Sequence, residues 1–441
     1  MTPYEAWQIY QKDNEAPQIF LDFCFYFVIG AALERRVYLT DCGPRTYPNT
    51  YIVLVGDAGM GKGMSITPAM EFFHYFKNPL RNEPEKMEVS FEVSKKLSEF
   101  ILDPRYMAIP VGPDSITLPQ LLELFQELLD PIFNSQGRCI EIHSSLCLAI
   151  EEMTTLIREE DSTCRDFFLS AYNCGNFSRE LKCSKHVRIR NLCLNFLAGT
   201  TFQSLQEVLK KNLMDDGICS RTWFIVGEEK RQLQFESRES EEKVLAKQYL
   251  KDYLYKLVGL YGEIKLSPNA FSFAKDYYEN KSQEERVNFN PLMSGYYSRY
   301  KLHLLKASII QKFMDKPDLS DIEQVHVERG IEHMLKRLEL KMDQAIKPAA
   351  KNPLEPVARK MNWLLDRKKG MMISELYSEF HSSVNQDQCR EIILDMLKQA
   401  KWKVIQNGEG VKLVTGVTPG ASVNAERLVA DLNSGLWRKK L

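Results

Sequence analysis

The chain has 441 residues, too many for one ordinary hydrophobic core, so its length predicts two or three domains. It is 44% hydrophobic and 27% charged with a net charge of −1, so any nucleic-acid site must be a local basic patch. Its ten cysteines include no C-x-x-C pair and its seven histidines show no ligand spacing, which argues against a zinc site and for a reducing cytosol.

No segment has the pattern of a membrane span or a secretory signal. The first residues are polar and amphipathic. The most apolar stretch, residues 23–33, is too short to cross a bilayer and is bordered by Asp22 and by the charged run 34–36. We therefore expect a cytoplasmic protein with no membrane partner.

Residues 51–55 form a short, apolar, β-branched run that predicts a buried strand. The next seven residues read G-x-x-x-x-G-K, the first seven positions of a phosphate-binding loop, or P-loop. Its glycines are Gly56, Gly59 and Gly61. Glycines let backbone N–H groups turn toward a phosphate, Lys62 reaches the terminal phosphates, and a helix over 63–75 favours the anion at its N-terminus. The motif predicts a site for ATP; the alternative is a glycine-rich turn that binds nothing.

One position departs from the motif. Gly63 stands where Ser or Thr would hold Mg²⁺. Ser65 and Thr67 lie within the next helical turn, and either hydroxyl could substitute directly or through water. We assign Ser65, with an acid discussed below, as the Mg²⁺ ligands.

Further apolar runs predict strands at 106–111, 146–150, 192–198 and 222–226, separated by helical segments. Strands that alternate with helices predict an α/β fold with a mostly parallel sheet and helices on both faces.

Polar residues follow two of these strands. An ATPase needs one carboxylate near Mg²⁺ and one that positions water. Glu151 and Glu152 end the 146–150 strand; we expect Glu152 to orient the water and Glu151 to act on the metal, where an aspartate is usual. The alternative is a solvated helix N-terminus, where acids are favoured. Thr200 and Thr201 close a strand expected beside the loop strand, where they sense the γ-phosphate or the water, or are simply β-forming residues in a turn.

Arg221 precedes the strand at 222–226. In ring ATPases an arginine at this place points into the neighbouring subunit's site and stabilises charge in the transition state. The alternative is a surface arginine at a strand start. Arg299 is a weaker candidate for the same role.

The segment 176–190 is strongly basic. Its basic residues are Arg179, Lys182, Lys185, His186, Arg188 and Arg190. A hairpin here would carry cations on its tip, as a loop that grips a nucleic-acid backbone must. A solvated charged loop explains the composition as well.

The remainder predicts a domain division. The predicted domains are 1–230 (nucleotide-binding), 231–350 (helical), 351–415 (winged helix) and 416–441 (flexible tail). In the second, a capping box at Ser320 and Glu323 predicts a helix over 321–346. In the third, the order helix, strand, helix, helix, hairpin is that of a winged helix, but its third helix mixes acids and bases, so DNA binding there is not assured.

The order of these motifs resembles a known family. The runs AALERRVYL, YPNTYIVLVGDAGMGKG, RNLCLNFLAGTT and DGICSRTWFIV, with the acid pair between them, are similar to P-loop ATPases of phages and mobile elements known as helicase- or primase-associated replication proteins. The resemblance covers about residues 21–346. The SRxxFIV element and the basic insertion also resemble the arginine finger and pore hairpin of superfamily 3 and minichromosome maintenance helicases, both AAA+ rings.

The resemblance implies a P-loop NTPase fold of the AAA+/ASCE type. It implies a homo-oligomeric ring, most simply a hexamer, that uses ATP and Mg²⁺ to move along single-stranded or forked DNA during phage or mobile-element replication in a bacterial cytosol. A non-processive AAA+ switch (a helicase loader, transposition regulator or defence ATPase) is the alternative. A structural DNA-binding protein with an inactive nucleotide site is a third.

Overall fold

A computed structural model gives the structure of the chain. It describes residues 1–41, 43–73, 111–113, 116–128, 130–133, 139–153, 162–180, 186–210, 216–236, 239–287, 293–346, 355–380, 385–398, 402–407 and 410–415. The chain divides into two compact units, Met1–Pro348 and Ala349–Leu441. Residues on both sides of the predicted boundary at 230 belong to the first unit.

The first unit contains helices and strands that alternate along much of the chain. Its helices are α1 (Pro3–Tyr10), α2 (Gln18–Leu33), α3 (Lys62–Glu71), α4 (Leu118–Glu127), α5 (Ser162–Tyr172), α6 (Phe202–Lys210), α7 (Asp216–Cys219), α8 (Glu241–Val258), α9 (Pro268–Val287), α10 (Ser294–Tyr297), α11 (Tyr300–Asp315), α12 (Gln324–Arg329) and α13 (Lys336–Ile346). Its strands are β1 (Val37–Leu39), β2 (Tyr51–Val55), β3 (Asp130–Phe133), β4 (Cys139–Ile150), β5 (Phe177–Glu180), β6 (His186–Ile189), β7 (Leu192–Thr200), β8 (Thr222–Val226) and β9 (Gly262–Ile264).

Five strands form the central sheet in the order β3-β4-β7-β2-β8. Strands β4, β7, β2 and β8 are parallel, whereas β3 pairs antiparallel with the first part of β4. Helices α2, α3, α5 and α13 pack against strands of this sheet. The predicted α/β fold with a mostly parallel sheet and flanking helices is therefore confirmed.

The predicted strands differ from the observed ones mainly in length. Both β2 and β8 have the predicted bounds, and β7 continues two residues further, to Thr200. Strand β4 begins at Cys139, seven residues before the predicted start, because its first part pairs with β3 and carries mixed polar and apolar residues that hide the strand pattern. Val111 forms a parallel bridge with Cys147; the rest of the predicted strand at 106–111 lies outside the described residues.

Helix α2 explains the most apolar stretch of the sequence. It follows Pro17 and is buried along nearly its whole length, since it packs against β2, β7 and β8 as well as α8 and α11. Its one buried acid, Asp22, accepts hydrogen bonds from Tyr4 Oη (2.9 Å) and Gln18 Nε2 (2.7 Å) and pairs with Arg337 Nη1 (2.6 Å). Among the helices that the structure describes, none is long and apolar enough to cross a bilayer.

The predicted helix over 321–346 is interrupted, and its predicted cap is wrong. The Ser320 hydroxyl donates to the carboxylate of Asp318, so the N-cap is Glu323, whose N–H donates to His326 Nδ1 (2.9 Å). The segment Gly330–Leu335 between α12 and α13 is a π-helix. Gly330, the first residue of this segment, lies close to the backbone of α11. A Cβ at Gly330 would lie 3.2 Å from the carbonyl carbon of Ala307.

The second unit has its own small core. Its elements are α14 (Glu355–Arg367), β10 (Met371–Met372), α15 (Ile373–Phe380), α16 (Gln386–Lys398), β11 (Trp402–Asn407) and β12 (Gly410–Thr415). The three strands are antiparallel in the order β10-β12-β11. Leu365, Leu376 and Ile393 are among the buried residues of its core. The order of elements agrees with the sequence prediction.

Candidate functional site

The glycine loop connects β2 to α3 at the carboxyl edge of the sheet. Gly59 and Gly61 have positive φ angles of 80° and 89°, a conformation that other residues rarely adopt, and this accounts for two of the three motif glycines. Gly61 is also crowded, because a Cβ there would lie 3.0 Å from Ala16 Cα. The loop is fixed at its start by the Gly56 N–H, which donates to Thr200 O at 3.3 Å.

Lys62 is the first residue of α3, and its side chain folds back over the loop. Its Nζ donates to Gly56 O (2.8 Å) and Asp57 O (3.0 Å). Burial lowers the pKa of Lys62, while the negative charges of Glu152 and Asp57 act in the opposite direction. The ammonium is therefore held at the loop and shares its surroundings with one of the predicted catalytic acids.

The sheet order brings the two acids and Thr200 to the same edge. Strand β7 lies between β4 and β2, with Ile150 opposite Ala198 and Val55 opposite Thr200. Glu152 follows β4, and its Oε1 accepts a hydrogen bond from Thr200 Oγ1 at 3.4 Å. Thr200 is fully buried, and its hydroxyl, which also lies 3.4 Å from Thr201 O, faces the partly exposed carboxylate of Glu152.

Glu151 lies over the start of α3. A Cβ at Gly63 would lie 3.1 Å from Glu151 Oε1 and 3.3 Å from Cδ, so the carboxylate covers the face where a side chain at 63 would begin. Thr67 Oγ1 donates to the same Oε1 at 3.5 Å. Gly199 permits this approach, because a Cβ there would lie 2.5 Å from Glu151 O.

Ser65, which the sequence predicts as a Mg²⁺ ligand, has its hydroxyl directed at the helix backbone. It is fully buried, and its hydroxyl donates to Gly61 O at 3.0 Å, inside the helix. Thr67, one half-turn later, is exposed on the side of Glu151. In the part of the chain that the structure describes, no three His, Cys, Asp or Glu side chains come together as a metal site.

A cavity of about 670 Å³ lies beside the first two turns of α3. Its lining includes Tyr10, Asn14, Met64, Thr67 and Lys243. Asn14 Nδ2 donates to Met64 O at 2.8 Å and so ties the segment after α1 to the helix that follows the glycine loop. Sequence reasoning missed this contribution, because Asn14 and Met64 are 50 residues apart in the chain and the N-terminal segment carries no signal of its own beyond polar residues.

Arg221 does not join this group. It precedes β8, and since Thr222 pairs with Tyr51 at the start of the loop strand, Arg221 lies at the opposite, amino edge of the sheet. It is buried, its Nη1 donates to Gly217 O at 2.7 Å, and its guanidinium lies 5.8 Å from the ring centroid of Tyr172. Arg299 is nearby and donates from Nε to Ser220 Oγ at 2.9 Å.

The basic segment contains an antiparallel hairpin, β5 paired with β6. Val187 and Ile189 are buried and alternate with Arg188 and Arg190, which are exposed, so one face packs on the protein and the other faces solvent. Phe177 at its base contacts Phe167 at a ring-centroid distance of 5.5 Å. Lys182 and Lys185 lie outside the described residues, as do the side chains of Arg179 and His186.

No family model matches the chain, and a comparison with curated proteins finds no match. The chemistry of the residues at the carboxyl edge of the sheet is therefore the basis for assigning a function.

Proposed function

We propose that this chain is an ATPase of the P-loop, AAA+/ASCE type that moves along DNA as a helicase or translocase. One observation carries the nucleotide-binding part of this proposal: a lysine, two carboxylates and a buried threonine converge around a glycine loop between a strand and a helix. Ligands of open parallel sheets bind outside the carboxyl ends of the strands, which is where this group lies. Loop N–H groups and a helix N-terminus favour an anion there.

Each residue then has a definable task. Lys62 exchanges its carbonyl partners for phosphate oxygens, and these charge-assisted hydrogen bonds are the stronger ones. Glu152 accepts a proton from, or orients, the attacking water, and the hydroxyl of Thr200 holds that carboxylate in position. A bound Mg²⁺ would neutralise phosphate charge, and Glu151 would be one of the residues that hold it. The cavity beside α3 has room for the rest of the nucleotide.

The helicase part of the proposal depends on the hairpin. It lies in the chain between the strand of the acids and the strand of Thr200, so a change at either could move it. Its exposed face carries Arg188, and cations on the solvent face of a hairpin suit contacts to phosphates of any sequence. We also propose a winged-helix identity for the second unit on its order of elements, and a ring, most simply a hexamer, on the resemblance in sequence.

The alternative is a non-processive AAA+ switch. The burial of Arg221 favours it, since a finger that acts on a neighbouring subunit must leave the contacts with Gly217 and Tyr172. A switch that assembles only transiently tolerates an arginine withdrawn in the free chain.

ATP hydrolysis and strand displacement on a forked DNA test the proposal together. We expect the wild type to do both, and Lys62→Ala to lose turnover about 100-fold or more with an unchanged melting temperature. Lys301→Ala, which changes an exposed lysine on α11, is the matched control and should behave as wild type. Hydrolysis without displacement would favour the switch; an inactive wild type, or an active Lys62→Ala, would contradict the nucleotide site.

A further inference from the structure

The two departures from the phosphate-loop pattern contact each other. Gly63 lacks the hydroxyl that would hold the metal, and Glu151 replaces the usual aspartate with a side chain one methylene longer. A Cβ at Gly63 would lie 3.1 Å from Glu151 Oε1 and 3.5 Å from Oε2. The longer acid therefore reaches the space that a serine or threonine at 63 would fill.

We infer that the longer acid at 151 compensates for the missing hydroxyl at 63, so that Glu151 and Thr67 supply the oxygen ligands for Mg²⁺ that residue 63 cannot. This paired substitution is called the exchange below. The inference rests on the proposed nucleotide site. Carboxylate and hydroxyl oxygens fit a hard cation, and Mg²⁺ commonly takes one or two carboxylates together with substrate phosphates and water. Thr67 Oγ1 lies 3.5 Å from Glu151 Oε1, so one ion can be shared between the two side chains after a small adjustment.

The same geometry removes Ser65 from the ligand set. Its hydroxyl is buried and bonded to Gly61 O, so it would have to break a helix-internal hydrogen bond to face an ion. Thr67 is exposed and already directed at the carboxylate. Two protein oxygens alone make a weak site for a strongly hydrated ion. The cation therefore binds together with the nucleotide and not before it.

A double-mutant cycle tests the exchange. Binding of a fluorescent ATP analogue is measured with Mg²⁺ and with EDTA for wild type, Gly63→Ser, Glu151→Asp and the double variant Gly63→Ser/Glu151→Asp. The ratio of the affinity with Mg²⁺ to the affinity in EDTA should fall about tenfold or more in each single variant. In Gly63→Ser the new side chain displaces the carboxylate, and in Glu151→Asp the acid is too short to reach the ion. The double variant, which restores the usual pair, should recover most of that ratio.

Binding in EDTA is the internal control, because it should be similar in all four proteins. If the double variant loses as much of the Mg²⁺ effect on affinity as the two single variants together, the exchange is wrong. A Gly63→Ser variant that keeps the full Mg²⁺ effect would overturn it as well. A wild type that binds no nucleotide at all would instead contradict the nucleotide site itself.

Three further variants test which residues bind the ion. Thr67→Val keeps the shape of an exposed side chain and should reduce the Mg²⁺ effect, whereas Thr67→Ser should retain it. Ser65→Ala represents the rival assignment. Loss of the Mg²⁺ effect in Ser65→Ala, with none in Thr67→Val, would overturn the assignment of Thr67, and melting temperatures establish that each variant is folded.

Discussion

The two edges of the central sheet hold their polar side chains in opposite ways. At the amino edge, Lys306 Nζ is buried and donates to Tyr47 O (2.7 Å) and to both Asn49 O and Asn49 Oδ1 (2.6 Å each). At the carboxyl edge, the contacts of Glu151 and Glu152 with threonine hydroxyls are 3.5 and 3.4 Å long. Short, buried contacts hold structure together, whereas longer contacts at an accessible surface leave oxygens available to a ligand.

If the two edges have separate roles, a change at the carboxyl edge should affect ATP turnover alone and a change at the amino edge should affect stability alone. At the carboxyl edge, Glu152→Gln keeps the shape of the side chain but removes the carboxylate that we propose as the base. We expect turnover to fall about 100- to 1,000-fold, since a general base contributes that much, with ATP still bound and the melting temperature nearly unchanged. Glu151→Gln is the matched comparison: if it stopped turnover and Glu152→Gln did not, the roles of the two acids would be exchanged.

At the amino edge, Lys306→Met should unfold the protein more easily. It leaves three buried acceptors near Tyr47 and Asn49 without their donor, at a cost of about 3 kcal/mol in the free energy of unfolding. Lys301→Met changes an exposed lysine on the same helix and should cost less than about 0.5 kcal/mol. Denaturant unfolding measures both.

Turnover of folded Lys306→Met distinguishes the edges further. Because Lys306 bonds the segment that leads into β2, and not the glycine loop, we expect wild-type turnover below the melting temperature. A stable but inactive Lys306→Met would show that the two edges are coupled through β2.

The sequence predicts the carboxyl edge well because its signals are local. The strand 51–55, the glycines and Lys62 are neighbours in the chain, so composition and spacing alone indicate their conformation. The acids and Thr200 follow apolar runs, and parallel strands bring such residues to one edge. The contact of Glu151 with Gly63 was not predictable, since it depends on register and on the length of one side chain.

The sequence does not predict which polar side chains are buried at the amino edge. Arg221 has the spacing of a finger, yet tertiary packing buries it against Tyr172, the last residue of α5. Lys306 and His303 lie on a helix whose pattern mixes polar and apolar residues, and nothing local indicates that their polar atoms face inward. Burial of this kind is decided by long-range partners, which spacing does not encode.

His303 provides the smallest expected effect and tests the amino edge by pH. It is buried, with Nδ1 accepting from Trp223 Nε1 (2.8 Å) and Nε2 donating to Ser220 O (3.0 Å), so the ring is neutral. Burial, together with the nearby positive charges of Lys306, Arg299 and Arg221, lowers the pKa of His303 to about 3, although the hydrogen bond to Ser220 O acts in the opposite direction. The unfolded chain therefore binds a proton that the folded chain excludes.

A lowered pKa in the folded state contributes stability that is complete above the unfolded value of about 6.5 and is lost as the pH falls toward about 3. Between about pH 7.5 and about pH 5.5, His303 should account for a loss of about 1.4 kcal/mol in the free energy of unfolding. His303→Gln, which does not titrate, should be less stable than wild type at neutral pH but should lose about 1.4 kcal/mol less over that interval. Urea unfolding of both proteins at the two pH values measures the difference, and parallel pH profiles would mean that His303 is protonated or solvated in the folded chain.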